Sequence, residues 1–320
     1  MLEWQPSAAI ETLRARARLL ARVRDFFDRH GLLEVNTPLL SAAAATDPAL
    51  DSLAVEVRGA GQRWLHTSPE FAMKRLLAAG SGDIWQICPV FRDGEQGRWH
   101  NPEFMLLEWY RLGFDERQLA GEVLSLIETL AEGYRDLAPA QYITYREAFV
   151  RHAGIDPFAA SDDEIAEAAM RVVTTGGPGH WQSSDWLDLL GGAVVYPALG
   201  RGQLTVLTDY PADQAALARL RPGEPTVAAR FEVFLDGVEL ANGFYELADT
   251  QEQRRRFEAD LNRRRGAGMS LVAPDERLLS ALECGLPDCA GVALGFDRLM
   301  ALLLGCDALA AVMTFDFSRA

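Results

Sequence analysis

The chain has 320 residues, with 31 Lys and Arg against 46 Asp and Glu, a formal net charge of −15, 49% hydrophobic and 24% charged residues. That balance fits a soluble globular protein whose core needs no disulfide or structural metal, and it speaks against a broad nucleic-acid-binding face, because such affinity comes mainly from Lys and Arg neutralising phosphates. No apolar run approaches the ~20 residues of a membrane span and no signal peptide is visible, while Cys88, Cys284, Cys289 and Cys306 form no Cys-x-x-Cys pair and suit buried free thiols in a reducing cytoplasm.

Ile10, Leu13, Ala17, Leu20 and Phe27 form a helical stripe within residues 8–30, ended by Gly31. Arg14, Arg16, Arg18, Arg22 and Arg24 along it read as a solvated face, with a binding patch as the alternative. Leu32–Pro38 reads as a short strand stopped by proline. Strand-like runs follow at Leu53–Val57, Arg63–Thr67, Ile84–Phe91 and Phe104–Leu112, interleaved with helical patterns at Pro69–Ala79 and Asp115–Tyr134. Residues 155–202 predict helices separated by loops, without chemistry, and a break at Thr174-Thr-Gly-Gly-Pro-Gly179. Strand character returns at Leu204–Thr208 and Phe231–Phe244, where Asp236-Gly237 between apolar runs signals a hairpin. Helices fit Thr250–Arg265, Asp275–Cys284 and Phe296–Leu304. Without regular β-α-β alternation, the pattern predicts an α+β fold, a mainly antiparallel sheet flanked by helices.

Three segments carry the chemistry. The first is Arg92-Asp-Gly-Glu-Gln-Gly-Arg-Trp-His-Asn-Pro-Glu-Phe104 and the strand after it. Arg92 can hold a phosphate or carboxylate bidentately, His100 can donate to an outer phosphate, and Phe104 can stack on a purine. Period two places Phe104, Leu106, Glu108, Tyr110 and Leu112 on one strand face, where a buried carboxylate needs partners; an edge strand with Glu108 in water is the alternative. The second is Phe231 to Glu246. A two-residue turn sets Phe234 opposite Glu239, so Glu232 and Glu239 share a face, and the natural cation between them is Mg²⁺; two exposed sheet carboxylates are the alternative. Glu239 and Glu246 differ in parity, so both face one pocket only across a bulge, expected at Asn242-Gly243. The third, Gly291-Val-Ala-Leu-Gly295-Phe-Asp-Arg298, is a glycine-spaced strand entering a helix, with Arg298 within reach of phosphate. Ser68-Pro-Glu70 opens a helix, for which Ser68 as an N-cap is a sufficient reason.

Together these segments resemble the catalytic domain of class II aminoacyl-tRNA synthetases, most closely the lysyl branch, from about residue 10 to the C-terminus. Gly31-Leu-Leu-Glu-Val-Asn-Thr-Pro38 looks like the class's first motif, at its dimer interface, Arg92–Phe104 like the second and Gly291–Arg298 like the third. Thr67-Ser-Pro-Glu70, Leu107-Glu-Trp-Tyr110 and Glu239-Leu-Ala-Asn-Gly-Phe-Tyr-Glu246 are the lysyl-type elements. The resemblance implies one catalytic domain over the whole chain and an ATP site. In that site Arg92 holds the α-phosphate and substrate carboxylate, His100 and Arg298 the outer phosphates, Phe104 the adenine, and Asp93, Gly94, Leu240 and Gly295 line the nucleotide. It implies Mg²⁺ on Glu232 and Glu239. Glu70 and Glu108 receive the near amino group of lysine, Tyr110 and Glu246 its distant ammonium, and Ser68, Pro69, Asn242 and Ala293 complete the pocket.

Only about thirty residues precede the first motif, so no N-terminal anticodon-binding domain is expected. Gly94 stands where the class usually has glutamate, and Ala293 where lysyl synthetases have glycine. These departures resemble the lysyltransferase family that modifies translation elongation factor P, which implies (R)-β-lysine as substrate, a protein acceptor rather than tRNA, and a cytoplasmic homodimer. A freestanding enzyme making an amino-acid adenylate for tRNA or a small amine, and a non-catalytic amino-acid-binding paralogue, are the competing readings.

Overall fold

The computed structural model describes residues 4–172 and 181–320, and the break expected at 174–179 lies outside them. The chain divides into two compact units, Met1–Gly113 with Leu247–Ala320, and Phe114–Glu246.

The first stretch runs α1 (Ile10–Arg29), β1 (Leu33–Glu34), β2 (Leu40–Ser41), β3 (Ala54–Val57), β4 (Gly61–Leu65), α2 (Glu70–Ala78), β5 (Ile84–Phe91) and β6 (Glu103–Leu112). α1 buries Ala15, Leu19, Val23, Phe26 and Phe27, spaced by three and four, and Phe27 stacks on Trp85 with ring centroids 4.7 Å apart. β1 pairs parallel with β5 over two residues only. The strand expected to run on to Pro38 stops early because the Thr37 N–H donates to the Gln86 side chain at 2.9 Å and Pro38 has no N–H to offer. β5 and β6 pair antiparallel from Ile84↔Tyr110 to Phe91↔Glu103, while β2, β4 and β3 form a small sheet of their own.

The second unit runs α3 (Glu116–Ala131), β7 (Ala138–Thr144), α4 (Tyr145–Ala153), α5 (Asp162–Val172), α6 (Ser183–Leu190), β8 (Gln203–Pro211), β9 (Leu220–Arg221), β10 (Val227–Leu235) and β11 (Val238–Tyr245). Capping boxes open α3 at Asp115 and α4 at Thr144. β7 pairs parallel with β8; β8, β10 and β11 follow antiparallel, with β9 also on β10. The β10–β11 hairpin closes through Asp236 at φ 51° and Gly237 at φ 81°, the two positive angles of a type I′ turn. A Cβ on Gly237 would lie 2.9 Å from Pro197, so the turn needs glycine for space as well. Phe234 faces Glu239 as expected, but Ala241 faces Val233, leaving Leu240 as the extra residue. The bulge therefore sits at Leu240 rather than at Asn242-Gly243, and it brings Asn242 opposite Glu232.

The chain returns to the first unit with α7 (Thr250–Gly266), α8 (Glu276–Gly285), β12 (Cys289–Gly295) and α9 (Phe296–Leu303). β12 pairs antiparallel with β6, so β6 lies between β5 and β12. The architecture is α+β with mainly antiparallel pairing, as the pattern predicts. Among the described residues no helix is long and apolar enough to cross a membrane. Cys88 and Cys289 are buried, whereas Cys284 is exposed, contrary to the expectation for all four thiols.

Candidate active site

β5 ends at Phe91 and hands the chain to Arg92, whose N–H donates to the Pro102 carbonyl at 2.9 Å and so sets the mouth of the 92–102 loop. The Arg92 guanidinium carbon stands 5.1 Å from the centroid of the Phe104 ring, and its Nη1 lies 3.5 Å from Glu95. Its Nε is buried with no hydrogen-bond partner, the kind of orphan donor that calls for a ligand. Asp93 and Gly94 are exposed; Gly94 has φ 76°, which explains glycine there, since a side chain in this conformation is strained. His100 is exposed on the same loop, its backbone bridged to Gly97.

Glu108 is 2% exposed at the centre of β6, which rules out the alternative of an edge carboxylate in water. Ser68 Oγ donates to its Oε2 at 2.6 Å and Tyr110 Oη to its Oε1 at 2.8 Å. Ser68 Oγ also accepts from the Glu70 N–H at 3.0 Å, so the serine both turns the chain into α2 and orients Glu108; Pro69 is the N-cap residue. Glu70 pairs with the buried Lys74 ammonium at 2.6 Å, one helical turn on. Across the sheet Ala293 is the register partner of Glu108, and it packs against the Cys88–Val90–Leu106 cluster with Phe104. Burial is the main cause that pushes the Cys88 thiol up to about 12, so it takes no part as a thiolate.

Gly295 is the N-cap residue of α9, and Arg298 in that helix donates from Nε to the Trp99 carbonyl at 3.1 Å. The third segment is thus tied to the loop that carries His100.

In the second unit Glu232 is buried on β10, and burial, then the charge of Glu239, raise its carboxyl well above the usual range, against the pull of Arg230. Arg230 Nη2 lies 2.5 Å from Glu232 Oε1, its Nε 3.2 Å from Asn242 Oδ1 and its Nη1 2.7 Å from the Gln214 carbonyl. A cation at Glu232 and Glu239 would relieve their repulsion. Among the described residues there is no group of three His, Cys, Asp or Glu that could hold a metal ion. Leu240 and Glu246 are buried, the Glu246 carbonyl accepting from Arg219 Nε at 2.6 Å.

A family model described as class II tRNA synthetases (D, K and N) matches residues 1–319. The chain belongs to this family. Relatives in Salmonella typhi, Salmonella dublin and Salmonella heidelberg, each named elongation factor P–(R)-β-lysine ligase, are 44% identical to this class II chain over 99% of its length and 98% of theirs.

Within each unit, several charge partners of these residues escape sequence reasoning. Arg230 lies two residues before Glu232, hence on the same face of β10, and Lys74 lies four after Glu70 on α2, so both spacings were readable. Arg16, taken as part of a solvated face, instead pairs with the buried Asp297.

Proposed function

We propose that the chain activates lysine, in the (R)-β isomer, with ATP and transfers it to the ε-amino group of a lysine on elongation factor P. The match to relatives of that name across nearly their whole length carries this reading. The acceptor, the isomer, ATP and the residue roles that follow are parts of the proposal, as are a single catalytic domain, a homodimer and a cytoplasmic setting.

A lysine carboxylate oxygen attacks the α-phosphorus of ATP, pyrophosphate leaves, and the acceptor amine then attacks the acyl carbon, losing a proton as AMP departs. Arg92 bridges the substrate carboxylate and the α-phosphate, its buried Nε being the donor in want of a partner. Phe104 stacks on adenine, with Asp93, Gly94, Leu240 and Gly295 along the nucleotide; His100 and Arg298 take the outer phosphates. Glu70 and Glu108 attract the near amino group, Tyr110 and Glu246 the distant ammonium, and Ser68, Pro69, Asn242 and Ala293 shape the pocket. Glu232 and Glu239 would hold Mg²⁺, which supplies charge neutralisation on phosphate oxygens when bound. No general base is required, because orientation alone is worth about 7–11 kcal/mol and the arginines stabilise developing charge.

Incubation with ATP, β-lysine and elongation factor P tests this. One added lysyl mass on the factor is expected. An unchanged factor together with charged tRNA favours the freestanding synthetase, and absence of pyrophosphate exchange with every amino acid favours a non-catalytic paralogue.

A further inference from the structure

We infer that Arg16 on α1 is a positioning residue for the nucleotide grip, acting through Asp297. The inference rests on the proposed roles of Phe104 and Arg298. Arg16 Nη1 meets Asp297 Oδ1 at 2.5 Å, with the two side chains 17% and 2% exposed. The other oxygen, Asp297 Oδ2, accepts the Met105 N–H at 2.7 Å. Met105 follows Phe104, and Asp297 precedes Arg298. One carboxylate therefore fixes the backbone beside the adenine-stacking ring and the helical turn that carries the phosphate-binding arginine.

The pairing has a physical reason. A buried carboxylate with a single backbone donor is an uncompensated charge, and the Arg16 guanidinium supplies the counter-charge. Arg16 is itself held in place: its Cζ stands 5.2 Å from the Phe296 ring centroid, and Nη1 reaches the Val312 carbonyl at 3.4 Å and Met300 Sδ at 3.8 Å. From Asp297 the restraint continues through Arg298 Nε to the Trp99 carbonyl, one residue before His100. Arg16 thus touches none of the residues assigned to lysine, and its influence falls on the nucleotide end.

Calorimetric titration of ATP into wild type, R16K, R16M and R16M/D297N tests this, with KM for ATP and for lysine taken from pyrophosphate exchange and thermal melts run alongside. R16M should weaken ATP binding about ten-fold or more, as loss of a charged hydrogen bond implies, and leave the lysine KM unchanged. R16K should restore part of the affinity, and R16M/D297N should recover part of what R16M loses, because it removes the orphaned charge. R16M binding ATP like wild type, or losing both substrates equally with a lowered melting point, overturns the inference. Wild type that binds no ATP overturns the nucleotide assignment itself and this inference with it.

Discussion

Ser68 and Glu108, forty residues apart in sequence, are joined by a 2.6 Å hydrogen bond in which the serine hydroxyl donates. Tyr110 holds the other carboxylate oxygen from the same strand. The two hydroxyl donors fix the orientation of both Glu108 oxygens, so the carboxyl group is held in place to meet a cationic substrate. Glu108→Gln should raise the lysine KM roughly 10- to 100-fold in pyrophosphate exchange, the scale of one charged hydrogen bond, with the ATP KM unchanged. Equal losses for both substrates would assign Glu108 to the scaffold alone.

Arg92 carries a more severe prediction. A lysine at this position keeps the charge but loses the planar fork that binds carboxylate and phosphate together. Arg92→Lys should therefore cut the rate of pyrophosphate exchange by about 10²-fold or more, in line with removing one preorganised donor to developing charge. Circular dichroism should show the fold intact. Near-normal exchange would remove Arg92 from the reacting centre.

Ala293 stands opposite Glu108 in the β6–β12 register, so its methyl group borders the carboxylate proposed to receive the near amino group. Ala293→Gly should shift the ratio of α-lysine to β-lysine use by about ten-fold or more toward α-lysine, since one methyl in a pocket is worth that much discrimination. Pyrophosphate exchange with each isomer measures it. An unmoved ratio would locate the choice of isomer elsewhere.

A pH prediction concerns Glu252 at the start of α7. Its hydrogen bond with Arg255, and then that with Arg256, hold its carboxyl down to about 2 against the opposing effect of burial. A lowered carboxylate adds stability that is present above its ordinary pKa and is lost as pH falls through 2. Glu252→Gln should lower the melting temperature at pH 7 and have little effect near pH 2, with the difference within about 1 kcal/mol because Arg255 is largely in water.

Where one residue type could do only one job, the sequence was legible. Asp236-Gly237 fixed a two-residue hairpin and its Phe234–Glu239 pairing, both of which are found. The α1 helix is found, but its buried stripe is Ala15, Leu19, Val23, Phe26 and Phe27 rather than Ile10, Leu13, Ala17 and Leu20, and β6 is buried on both faces from Leu106 to Tyr110 instead of on one. β7 and α4 escaped notice because the strand formers of Ala138–Thr144, namely Tyr142, Ile143 and Thr144, are crowded at the end of a half-exposed run, although the Thr144-x-x-Glu147 capping box announced the helix. The bulge had to lie between Glu239 and Glu246, but parity gives no position within that span. Gly-containing Asn242-Gly243 looked the softer choice, and the register puts it at Leu240, inside the core. Charge partners were least legible: Arg16 reaches Asp297 across 281 residues, and nothing local distinguishes it from its neighbours on α1.

The first unit is discontinuous, and this shapes how the chain must be made. β6 gains its β12 neighbour only after the whole of Phe114–Glu246 has been synthesised. At about 5–20 residues per second, a ribosome leaves that flank of β6 without β12 for on the order of ten seconds. Unpaired strand edges are templates for aggregation, so the nascent chain needs shielding during that interval. A stall or premature stop before Cys289 would yield not a weakened enzyme but a sticky fragment, with Glu108 and Trp109 on a strand waiting for a neighbour that never arrives.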